Sequence, residues 1–112
     1  MDRKQKIRRY KETPRPAGVY RVLRRSTGRM LLGASVDAPA MLNRIRAQLD
    51  LATQPNRQLQ ADWDVDGAGG FDFDVLDLLA PADDASRDVR ADLEILLGLW
   101  TDRIESEGGL LY

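Results

Sequence analysis

A small α+β domain, with helices flanking a three-stranded antiparallel sheet, is the fold this sequence predicts. Three observations predict it. Two β-prone runs, Gly18–Arg25 and Met30–Ser35, flank the short turn Ser26-Thr27-Gly28-Arg29 and read as a hairpin. The run Phe71-Asp72-Phe73-Asp74-Val75 alternates apolar and acidic, as a strand with one buried and one wet face does. Val89, Leu93, Leu96, Leu97, Trp100 and Ile104 recur every three or four residues, which marks a helix with one buried face. At 112 residues the chain is one domain's worth.

The elements follow in order. Residues 1–15 form a basic arm or short helix, because Thr13-Pro14-Arg15-Pro16 cannot continue a helix. The folded unit spans residues 16–107. In its first strand Val19, Arg21 and Leu23 point one way, and Tyr20, Val22 and Arg24 the other. Asp37 followed by Pro39 starts a helix whose apolar stripe is Leu42, Ile45, Leu49 and Ala52, with Met41 beside it; it ends before Pro55. Asn56 caps a second helix carrying Leu59, Gln60 and Trp63, which stops at the glycines from Gly67. The third strand, an acidic loop at 81–84 and the long helix complete the unit. Gly108-Gly109 ends that helix, and 108–112 is a C-terminal tail.

Composition narrows the chemistry. The chain has no cysteine and no histidine, which removes disulfides, thiolate zinc sites, Cys nucleophiles and every His-based catalytic arrangement. Tyr, Arg, Lys, carboxylates or a metal held by oxygens remain. No apolar run approaches the ~18–20 residues a bilayer span needs, and the charged start is not a secretory signal, so a cytoplasmic protein without a membrane role is expected. Charge is segregated: residues 1–30 hold eleven basic and two acidic residues, and residues 64–112 hold three basic and thirteen acidic. Such a split suits a polyanion-binding arm, or two ends of one protein that attract each other.

Gly18-Val19-Tyr20 on the first strand, Leu31-Leu32-Gly33 on its partner, the segment Asn56…Leu59-Gln60…Trp63, Phe71 after a Gly-rich turn, and Trp100 late in the last helix together resemble the GIY-YIG nuclease domain over residues 16–105. The resemblance implies phosphodiester hydrolysis: a first-triplet Tyr relays a proton, an Arg on the next helix neutralises the phosphate, and a Glu on the last helix holds one Mg or Mn ion. Gly18, Tyr20, Leu32 and Gly33 match. Leu31 stands where the second triplet begins with Tyr, Met41 where the Arg is expected, and Leu97 where the Glu is expected.

The nearest substitutes are Arg44 and Glu94, each three positions away, about 60° around and 4.5 Å along a helix. A long Arg spans that gap, whereas a metal-holding Glu has far less tolerance. The leading expectation is a DNA- or RNA-binding module with an eroded catalytic site. Its phosphate contacts are expected from Lys4, Lys6, Arg8, Arg9 and Lys11 of the arm, Arg24 and Arg25 of the hairpin, and Asn56 and Gln60. One alternative is an active endonuclease with Tyr20 and Arg44 catalytic, Glu94 as metal ligand and Mg or Mn as cofactor. The other is a protein-interaction or homodimerisation module. Each residue also has an ordinary structural reading: Tyr20 as packing, Asn56 as a helix cap, Arg44 as a surface charge, and the hairpin cations as partners of the C-terminal acids.

Overall fold

The computed structural model describes residues 15–80 and 87–112. The arm cations Lys4, Lys6, Arg8, Arg9 and Lys11 and the acidic loop at 81–84 lie outside them. Strand β1 (Gly18–Arg24) is central, with β2 (Met30–Ser35) and β3 (Phe71–Leu78) antiparallel on either side. Helices α1 (Ala38–Asp50) and α2 (Arg57–Asp66) cover one face, and α3 (Val89–Ser106) packs on the other. The expected order and sheet are therefore those observed.

Local chemistry accounts for the boundaries. The hairpin turns at Gly28, whose φ of 76° is left-handed backbone that glycine adopts without a Cβ clash. The Asp37 carboxylate accepts from the Ala40 amide at 3.2 Å and Pro39 lies in the first turn, which starts α1. Asn56 accepts from the Leu59 amide at 3.1 Å and caps α2. Asp88 accepts from the Arg90 and Ala91 amides and caps α3, which stops before Gly108 at φ 80°. One expectation needs correction. Ala52 does not extend the α1 stripe, because the helix ends at Asp50 and Ala52 is exposed at φ 58°.

Both faces of β1 are covered. Tyr20 and Val22 join Ala38, Leu42, Ile45, Leu49, Leu59, Trp63 and Phe71 in a core beneath α1 and α2. Val19 is fully buried on the opposite face, towards α3. Between Val19 and Tyr20 the β1–β3 register shifts, since Val19 faces Asp77 while Tyr20 faces Val75. This bulge leaves Leu76 without a partner and turns Leu76 and Asp77 towards the same side. There the Asp77 carboxylate accepts from the Trp100 indole at 3.1 Å. Residues 108–112, expected as a tail, return to the sheet: Leu111 bridges Met30 in parallel, and the Tyr112 amide donates to the Met30 carbonyl at 3.0 Å.

Candidate functional site

Tyr20 is placed by β1 and is only 9 % exposed. It stands opposite Gly33 on β2, and its ring lies over that glycine so closely that a Cβ there would fall well inside contact distance of the phenol oxygen. Gly33 is thus required by close approach, not by backbone conformation. Burial pushes the Tyr20 phenol above its ordinary value. That direction leaves less of the phenolate at neutral pH to take a proton from water.

Tyr20 belongs to an apolar core cluster. Leu31 and Met41, at the places where the resemblance expects a second Tyr and an Arg, both pack against the core cluster that contains Tyr20. Arg44 is exposed on α1. Glu94 is exposed on α3, on the other side of the sheet from Tyr20. The structure therefore does not bring Tyr20, Arg44 and Glu94 together at one cleft. Leu97, where the resemblance expects the metal-holding Glu, is a half-buried apolar side chain, and among the described residues no three carboxylates gather as a metal site. The described donor set does not fit a divalent cation beside Tyr20.

The expected phosphate contacts separate into two kinds. Arg24 reaches α2, where its guanidinium grips Asp66 with two bonds, of 2.7 and 3.1 Å, and meets Asp62 at 3.1 Å. Ser26 adds a hydroxyl bond of 2.9 Å to Asp66, and the Tyr112 phenol donates to Asp62 at 2.5 Å. The Arg24 bond, then that of Ser26, hold the Asp66 carboxyl below its usual value, and Asp66 in turn raises Arg24. Burial, then the Asp62 contact, raise the Tyr112 phenol. Two acids surround one cation, so a polyanion approaching Arg24 meets local negative charge. Arg25 is exposed, pairs with Asp72 at 3.3 Å and donates to the Gly69 carbonyl.

Asn56 is occupied as the α2 cap. Gln60 donates to the Leu49 carbonyl at 3.1 Å and to Asp64 at 3.0 Å, beside a groove of about 510 Å³ that Thr53, Gln54 and Arg57 also line. The cations without an acidic partner among the described residues include Arg29, Arg44, Arg46 and Arg57. Arg46 lies over the Phe73 ring at 5.8 Å and Arg29 over the Tyr112 ring at 5.7 Å. Sequence reasoning did not single out Arg57. Its only signal there was its position after a capping Asn.

No protein-family model matches the chain, and no curated protein does. Among solved structures it is similar to the catalytic domain of the homing endonuclease I-TevI. The TM-score is 0.66 at 14 % identity, over 84 % of this chain and 94 % of that one. A point mutant of the same catalytic domain, there called an intron endonuclease, gives the same TM-score and identity over 85 % and 90 %. The fold is GIY-YIG-like. At this identity the likeness concerns the fold, and within a GIY-YIG-like frame Tyr20 and Gly33 occupy facing positions of the first two strands. No helix among the described residues is long and apolar enough to cross a membrane.

Proposed function

We propose that this chain is a nucleic-acid-binding module with a GIY-YIG-like fold that does not cleave phosphodiesters. The observation that carries the reading is the apolar packing around Tyr20. Leu31 and Met41 pack against its cluster, and the phenol is buried with its acidity reduced. Hydrolysis needs a cation at the departing oxygen and a group that accepts the proton of the attacking water. Neither is supplied beside this phenol by the described residues. Binding needs less: exposed guanidinium groups that displace counterions, which Arg44, Arg46 and Arg57 offer, and which the arm cations Lys4, Lys6, Arg8, Arg9 and Lys11 extend.

Supercoiled plasmid incubated with the protein and Mg²⁺ or Mn²⁺, against EDTA, tests the first half. The expected result is no nicking; nicking that requires Tyr20 and Glu94 would overturn it and support the endonuclease. Retardation of DNA or RNA that weakens with salt tests the second half. Its absence at low salt would sink the binding reading.

A further inference from the structure

The outer face of α3 carries large apolar side chains that the fold leaves uncovered. Ile95 is 64 % and Leu99 62 % exposed, one helical turn apart. Asp92 lies three residues before Ile95 and Asp102 three after Leu99, and the exposed Glu94 and Glu105 flank the stripe. Leu96, Leu99, Trp100, Asp77 and Arg103 line a cavity of about 190 Å³ along its edge. Residues 87–107 carry six acids against three bases. The face is thus an apolar pair bracketed by carboxylates.

The chain contains a segment of complementary chemistry. Residues 1–14 carry six bases against two acids, and Ile7 and Tyr10 stand three apart with Arg3, Lys6 and Lys11 at helical spacing around them. The root of this segment is fixed next to the α3 layer. The Ala17 carbonyl accepts from the Leu79 amide at 2.8 Å, two residues beyond Asp77, and Asp77 holds Trp100, the neighbour of Leu99. Ile7 is ten residues from Ala17, a reach of ~15 Å as helix and ~33 Å extended. The same root is bonded directly to α1, since the Pro16 carbonyl accepts from the Ala38 amide at 3.0 Å. The exposed face of α1, however, presents Arg44 and Arg46, which repel a basic segment.

We infer that the acidic, apolar outer face of α3 is a docking surface for this chain's own residues 1–14, with Ile7 and Tyr10 on Ile95 and Leu99 and the arm cations on the surrounding carboxylates. The contact withholds the arm from other polyanions, so a nucleic acid must compete for it. The docking itself does not depend on the nucleic-acid reading, and its test contains no nucleic acid.

The natural chain has no cysteine, which makes cross-linking selective. Full-length protein with Gln5→Cys and Gly98→Cys is oxidised mildly at low concentration, beside a control with Gln5→Cys and Asn43→Cys. Gly98 and Asn43 are both exposed and a Cβ at Gly98 meets open space, so neither substitution disturbs the core. Docking raises the local concentration of one thiol at the other, and an intramolecular disulfide is expected roughly tenfold faster in the first protein than in the control. Half-molar salt should narrow that difference as it screens the charges. Equal rates in the two proteins would overturn the proposal. So would a disulfide-linked dimer as the main product, which would make a second copy the occupant of the face.

Discussion

Substituting Gly33→Ala tests the packing that defines the Tyr20 site. An added Cβ would meet the far end of the Tyr20 ring, including Cε2 at 2.9 Å, and the ring is held by β1 beneath α1. Overpacking of this kind costs ~1–3 kcal/mol. The loss of glycine's unfolded-state freedom offsets about 0.4–1 kcal/mol of it, because Gly33 does not occupy left-handed backbone. A net destabilisation of roughly 0.5–2.5 kcal/mol should lower Tm by about 2–10 °C. Tyr20→Leu removes the atoms that collide, so in that background the offset alone remains and Gly33→Ala should stabilise. Urea and thermal unfolding of the four proteins, followed by circular dichroism, give the cycle. A Gly33→Ala protein as stable as its parent, or an equal loss in both backgrounds, would refute the close approach of ring and glycine.

Other outcomes follow from the same geometry. Asn56→Ala removes the α2 cap and should cost ~1 kcal/mol in urea unfolding, with faster amide exchange at Leu59. Leu59→Ala opens a void at a fully buried site and should cost ~2–5 kcal/mol. Asp66 has a depressed folded pKa, so its contribution is present above the unfolded carboxylate value and is lost as pH falls through the folded one; Asp66→Asn should flatten the acid limb of stability against pH. Tyr20 has a raised folded pKa, so its contribution is full below the unfolded value of about 10 and fades as pH rises through the folded one; Tyr20→Phe should soften the alkaline limb. If nucleic acid binds across α1, Arg44→Ala with Arg46→Ala should reduce the salt slope of affinity by about two, read by fluorescence anisotropy.

The fold was legible because its signals are local. A Gly turn between β-prone runs, Asp37 with Pro39, Asn56 as a cap and the alternation of β3 each depend on neighbours a few residues away, and each element lies where they place it. The packing of Leu31 and Met41 was legible as apolar identity at positions where a Tyr and an Arg were expected. What surrounds Arg24 was not, because it depends on a strand end meeting a helix about 40 residues later in the chain. The outward face of α3 also escaped notice. The regular recurrence of Leu93, Leu97, Trp100 and Ile104 accounts for the helix fully, and Ile95 and Leu99 lie between those positions without marking themselves as exposed.

The unpaired Leu76 means that β3 changes parity half-way along. Before it, Phe71 and Phe73 supply the inward side chains on the α1–α2 side; after it, consecutive residues serve the α3 side. A saturation scan along β3 should therefore show sensitivity at every second position as far as Phe73, then at the adjacent pair Leu76 and Asp77. Deleting Leu76 would restore an unbroken alternation with Asp77 still opposite Val19 and facing the indole of Trp100, so the shorter strand would be the more regular one and would lack only the Leu76 side chain on the α3 side.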